Sequence, residues 1–178
     1  MRRRDLLRTL AGTAVVASAG CSGSPTGSTQ AGDGQDPITV DLLDAPGSDG
    51  GTATVPAESQ VSFVEFFATT CSVCEGQMDT LAEAHETVGS EVQFLSVTSQ
   101  PVGYTVSRSE VASWWDDHGG SWPIGVDDGT ALAQRYDATS VPTALLIRPD
   151  GSVAWSHTGE INTDRIVEAV RETTGEQA

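Results

Sequence analysis

Lysine is absent from this chain: all nine basic residues are arginine, set against 25 Asp and Glu over 178 residues, for a formal net charge of -16. A surface of that sign repels phosphate and has almost no counterions to release, which argues strongly against nucleic acid as a partner. Cysteine is scarce as well, with three residues at 21, 71 and 74. A four-Cys zinc site needs two closely spaced pairs, and the chain has one. Long apolar runs are missing too. The longest weakly polar stretch, over 6–19, is broken by Gly12, Thr13 and Ser18 and is too short to read as a membrane-spanning helix. No internal repeat is visible.

What is present points to one folded domain. Apolar residues make up 38% of the chain and fall in clear runs, whereas a disordered acidic chain would scatter them. The length suits a single well-buried domain with tails. Dispersed acid without Lys resembles the protein composition of salt-loving archaea, where hydrated carboxylates keep proteins soluble in concentrated salt.

The N-terminus reads as an address. MRRRDLLRTLAGTAVVASAGC carries an Arg cluster, a modest apolar stretch and small residues up to Cys21. It resembles a twin-arginine export signal over 1–21 ending in a lipobox, Ser18-Ala19-Gly20-Cys21, with Cys21 as the lipidated residue and Ser18 departing from the usual Leu. Plain export with cleavage elsewhere is the alternative. Residues 22–37 are rich in Gly, Ser and Thr without apolar periodicity, so a flexible tether is expected there, and the compact domain should occupy 38–178.

Within that domain, alternation predicts a strand over 38–43, returning over 52–55 after a DAPGSDGG turn. The near-continuous apolar run 61–67 predicts a strand buried on both faces. A helix is expected over 72–88, where Met78, Leu81, Ala82, His85 and Val88 share a face and Gly89 can end it. Further on, the pattern gives strands over 92–97, 122–126, 143–147 and 152–156. Helices are expected over 109–118, 130–136 and 163–173, the last capped by Asn162. Strands alternating with helices and closing on a hairpin make an α/β layered domain.

Cys71 and Cys74 lie where strand pattern gives way to helix pattern. A structural disulfide across two residues closes a very small loop and removes little entropy from the unfolded chain. Redox chemistry suits the position better. Cys71 at a helix N-terminus has free N–H groups and the positive dipole end to favour its thiolate, and Cys74 lies close enough to resolve a mixed disulfide formed on Cys71. Glu65 interrupts the 61–67 run on the face of Phe63 and Phe67. A carboxyl buried there would have a raised pKa and could pass a proton to or from Cys74; the plain alternative is that it reaches solvent. Pro142 opens a buried strand, where proline is unusual. A cis Val141-Pro142 bond facing the Cys pair would expose the Val141 backbone to a docking chain, against the plain reading of a trans proline on an edge strand. His85, His118 and His157 show no ligand spacing and read as ordinary histidines.

FFATTCSVC, followed about sixty residues later by RYDATSVPTALLIRPDGSVAWSHTGE, resembles the thioredoxin superfamily, most closely its TlpA-like, membrane-tethered thiol-disulfide oxidoreductases. The resemblance runs from Ile38 onward. It implies a thioredoxin-like fold with an N-terminal hairpin and an inserted segment, 93–127, between the CxxC helix and the cis-Pro strand. It implies Cys71 as nucleophile, Cys74 as its partner, Pro142 in cis, and Glu65 at the place of thioredoxin's buried acid. No cofactor or metal is implied. The partners implied are exported proteins with Cys thiols or disulfides, for instance apocytochrome c before haem attachment, and a membrane electron donor. Thr70 replaces the Trp usual before the first Cys, Ser72-Val73 replaces a Pro-containing pair, and Asp79 stands where many relatives have a helix-kinking Pro. Two other functions remain open. A peroxiredoxin-like peroxidase would need Thr and Pro three and seven residues before the reactive Cys, where this chain has Ala68 and Val64. A SCO-like copper-binding module would need a distant His, for which His157 is the candidate, and usually spaces its thiols by three residues.

Overall fold

The computed structural model describes residues 36–175. The expected signal with Cys21, and the linker apart from Asp36 and Pro37, lie outside the described residues. The chain runs β1 (Ile38–Ala45), β2 (Ser48–Val55), β3 (Ser62–Phe67), α1 (Ser72–Gly76), α2 (Met78–Val88), β4 (Gln93–Thr98), α3 (Arg108–Asp117), β5 (Ile124–Val126), α4 (Ala131–Arg135), β6 (Thr143–Ile147), β7 (Val153–Thr158) and α5 (Thr163–Gly175). All seven strands join one mixed sheet in the order β2-β1-β5-β4-β3-β6-β7.

β3 lies inside the sheet, parallel to β4 and antiparallel to β6, and all six of its residues are buried. Its two faces serve two cores. Phe63 and Phe67 pack with α2, α3 and α5 through Leu81, Trp115 and Ile166. Val64 and Phe66 pack with Leu95, Leu145 and Leu132 of α4. A continuous apolar run is what double coverage demands, so a charged residue within it carries information.

The opening hairpin is present, but its turn is tighter than expected. Ala45 pairs with Ser48 around the two-residue turn Pro46-Gly47, so β2 begins four residues early and takes in Gly50 and Gly51. Gly47 has φ +75°, and a Cβ there would collide with the Ser121 backbone, so both conformation and space require glycine. Other boundaries match the expected elements to within two residues, and Asn162 does cap α5, its Oδ1 accepting from the Arg165 N–H at 3.0 Å.

The expected single helix over 72–88 is two. Gln77 has φ -103° and ψ 5°, ending α1 and opening α2. No proline is involved, since residue 79 is Asp. Gly76 favours a break there, and Gln77 buries its side chain at the joint. The buried positions of α2 are Met78, Leu81, Ala84 and Val88, while Ala82 and His85 are only half-buried.

Candidate active site

The end of β3 leads through Ala68, Thr69 and Thr70 to Cys71. Two contacts fix this short connection. The Cys71 N–H donates to the Ala68 carbonyl at 3.0 Å, and the Thr69 N–H donates to Gln100 Oε1 at 2.8 Å. Cys71 is the N-cap of α1 in extended conformation, and its Sγ accepts the Cys74 N–H at 3.1 Å. That bond satisfies one otherwise orphaned donor of the first turn and places a dipole where a thiolate charge would sit. Cys71 and Cys74 form a disulfide with Cα atoms 5.2 Å apart. The two sulfurs differ in access: Cys71 is half-buried, whereas Cys74 is 1% exposed.

Glu65 is 1% exposed, opposite Ser96 of β4 and Ala144 of β6. Burial pushes its carboxyl up from the ordinary 4.5 to about 7, against smaller opposing contributions from hydrogen bonds with Ser96 and Gln77. Ser96 accepts the Trp122 indole N–H at 3.0 Å, which leaves its own proton free for Glu65. Gln77 Nε2 donates to Glu65 Oε1 at 3.5 Å. The Gln77 backbone N–H meets the Cys74 carbonyl at 3.4 Å, so Gln77 touches both the acid and the turn that carries the buried cysteine.

β6 runs antiparallel to β3 with Thr143 opposite Phe66, which sets Val141 and Pro142 beside the strand end that leads to Cys71. The Val141-Pro142 bond is cis. Pro142 is buried and its carbonyl accepts the Gly159 N–H at 2.9 Å, while Val141 is 41% exposed. Next to them a cleft of about 300 Å³ is lined by Ala68, Gln100, Thr139, Ser140 and Val141 over the Phe66-Phe67 strand end. Among the described residues no charged side chain lines it.

Each histidine has a partner of its own. His85 packs against Phe94 and Trp122, and burial lowers its pKa. His118 stacks on Trp114, with Nε2 3.6 Å from Glu75. His157 Nε2 is paired with the Glu160 carbonyl at 2.9 Å. The described residues contain no group of three or more His, Cys, Asp and Glu able to hold a metal ion.

Gln77, Ser96 and Gln100 are not singled out by the sequence reading. Gln77 falls one helical turn after Cys74, a spacing that could have placed it on the Cys74 face. Gln100 meets Thr69 across 31 residues, and no local pattern carries such a contact.

Comparison with known proteins agrees with this geometry. StoA from Bacillus subtilis superimposes with a TM-score of 0.62 at 18% identity, over 73% of this chain and 95% of that one. The fold is thioredoxin-like. In sequence, the chain is 29% identical over 116 residues to the thiol-disulfide oxidoreductase ResA of Halalkalibacterium halodurans, 65% of this chain and 62% of that protein. It is also 29% identical over 137 residues to the mercury resistance operon ORF3 product of Streptomyces lividans, 75% of this chain and 67% of the relative. The chain is thus homologous to thiol-disulfide oxidoreductases and carries the CxxC pair at 71 and 74. The Redoxin family model matches residues 25–172, and the chain belongs to the Redoxin family.

Proposed function

We propose that this protein is an extracytoplasmic thiol-disulfide oxidoreductase that exchanges disulfides with exported proteins through Cys71 and Cys74. The observation that carries the reading is the asymmetry of the pair: a half-buried Cys71 at a helix tip, bonded to a buried Cys74, near an uncharged cleft lined by Val141, the residue before the cis Pro142.

In the reducing direction, the Cys71 thiolate attacks one sulfur of a client disulfide. A Cys71–client S–S bond forms, the client S–S bond breaks, and one client thiolate leaves. Cys74 then gives its proton to Glu65 and attacks Cys71 Sγ, closing the Cys71-Cys74 disulfide and expelling the second client sulfur. Two electrons pass from the protein dithiol to the client. Run backward, the same steps oxidise a client dithiol. A carboxyl poised near 7 can take and return the Cys74 proton at neutral pH. Val141, exposed ahead of the cis bond, offers its backbone to the docked client chain.

Location rests on the N-terminal sequence. The Arg cluster and lipobox support export and lipidation at Cys21, with 22–37 as the tether of a TlpA-like anchored domain on the outer face of the membrane. The Lys-free acidic composition supports a salt-adapted host. A membrane electron donor would then keep the pair reduced.

The test is trapping. Cys71→Ala should abolish exchange with a disulfide-bonded protein, and Cys74→Ala should accumulate a mixed disulfide through Cys71, visible by mass spectrometry. Normal turnover by Cys74→Ala would overturn the assignment.

A further inference from the structure

Gln77 is 2% exposed at the joint between α1 and α2. Its Nε2 faces Glu65 at 3.5 Å, while its Oε1 is buried without a hydrogen-bond partner among the described residues. An unpaired buried acceptor is costly, and native structures keep few of them. A primary amide can answer the cost by turning. Donor and acceptor exchange places on a half-turn of the terminal torsion, and the two orientations fill nearly the same space.

Its neighbour can use both orientations. An ionised carboxyl only accepts, so it calls for the Nε2–H; a protonated carboxyl carries an O–H that needs an acceptor. We propose that Gln77 is a positioning residue for Glu65: its amide presents Nε2–H to the ionised acid and, after a half-turn, Oε1 to the protonated acid. Glu65 is thereby held beside Cys74 in both halves of the exchange cycle. This rests on the reading of Glu65 as the proton partner of Cys74. When Cys74 attacks Cys71 Sγ, its proton moves to Glu65 and the new O–H donates to Gln77 Oε1; once that proton passes to solvent, the amide turns to present Nε2, the arrangement seen with the disulfide closed. When the Cys71-Cys74 bond is reduced again, Glu65 takes up a proton and passes it to the Cys74 sulfur, and the amide turns with each change. The Gln77 backbone, bonded to the Cys74 carbonyl, keeps the amide in register with that sulfur.

Little else near Glu65 competes for the role. β4 contributes Ser96, and β6 contributes Ala144. His157 of β7 stands opposite Ala144, two strands from Glu65, with Nε2 on the Glu160 carbonyl. The core on this face of β3 includes apolar Ile166 and Val170 of α5, Cys74 of α1 and Met78 of α2, with Gln77 at the joint between those two helices. Among these described neighbours, Cys74 and His157 are the other ionisable groups.

The experiment is a pH titration of the isotopically labelled full chain by NMR, following the Glu65 carboxyl carbon and the Gln77 side-chain amide together. The amide resonances should titrate with the same midpoint as the carboxyl, and should become flat in Glu65→Gln. A Gln77 amide that stays fixed while Glu65 titrates would overturn the inference. Gln77→Met, similar in length but without donor or acceptor, gives a second measurement. The ionised acid loses the stronger, charge-assisted bond and the protonated acid the weaker one. The Glu65 midpoint, and with it the pH inflection of exchange, should therefore rise by about one unit. An unmoved midpoint would also sink the idea. Failure here is separable from failure of the function: a protein that exchanges disulfides through Cys71 while its Gln77 amide ignores Glu65 loses only the amide's role, whereas a Cys71→Ala variant that still exchanges removes the enzyme reading.

Discussion

Among the described residues two carboxyls are buried, Glu65 and Asp127, and they are provisioned in opposite ways. Asp127, 3% exposed at the end of β5, accepts the backbone N–H groups of Leu132 and Ala133, both at 2.9 Å, and the Ser99 hydroxyl at 3.1 Å. It caps α4, whose formal N-cap Thr130 makes no side-chain cap bond. Glu65, 1% exposed on β3, has one long bond from Gln77 and the hydroxyl of Ser96, with no backbone donor within the sheet ladder free to serve it. Equal burial therefore gives unequal chemistry. Donors aimed at an acid make it part of the scaffold, and their scarcity makes it a group that holds a proton near neutrality.

The sharpest way to break the comparison is Glu65→Gln. Below pH 4.5 the carboxyl is protonated in both the folded and the unfolded chain, and it gives stability no pH dependence. Between 4.5 and about 7 the unfolded chain releases the proton while the folded chain keeps it, so stability falls as pH rises. Above that window the cost is complete, about 3 kcal/mol at about 1.4 kcal/mol per unit. Glu65→Gln should thus be more stable than the parent by about 3 kcal/mol at mildly alkaline pH and nearly equal to it in acid, as read from denaturant midpoints. The resolving step should slow by roughly 10². Equal stability at both pH values would show that Glu65 is not held protonated.

Asp127→Ala should act in the other direction. It leaves two helix-start N–H groups without their acceptor, for a loss of about 2 kcal/mol in stability. Thiol exchange by the folded fraction should be unchanged. A gain in stability would erase the distinction between the two acids.

The contrast also explains what could be read from the sequence. Glu65 stood out because a charge inside a doubly buried strand breaks an apolar run, and Cys71-Cys74 and Pro142 stood out because their residue types are costly or rare where they sit. The order of strands and helices followed from periodicity and turn residues. Asp127 did not stand out: in Val126-Asp127-Asp128-Gly129 it resembles any acid in a turn, and its acceptor role depends on how α4 swings back over it. Gln77 was hidden for a related reason: its spacing from Cys74 fits a buried helix face, but its meeting with Glu65 depends on how that helix packs over β3. Gly50 and Gly51 suggested a turn, yet Pro46-Gly47 had already closed the hairpin, because the close approach of the Ser121 backbone fixes the turn from outside the hairpin.

A matched pair of serines carries the comparison to its smallest effect. Each acid has one serine hydroxyl donor, Ser96 for Glu65 and Ser99 for Asp127. Ser96→Ala removes one of only two donors, so the Glu65 midpoint should climb by about one unit, moving the inflection in the exchange rate to higher pH. Ser99→Ala leaves both backbone N–H groups on Asp127, and stability should change by no more than about 0.5 kcal/mol. The prediction lies in the ratio of the two responses. If removing the Ser99 hydroxyl disturbs the protein as much as removing that of Ser96, then supply of donors does not divide the two carboxyls, and the singling out of Glu65 as the proton partner of Cys74 loses its physical ground.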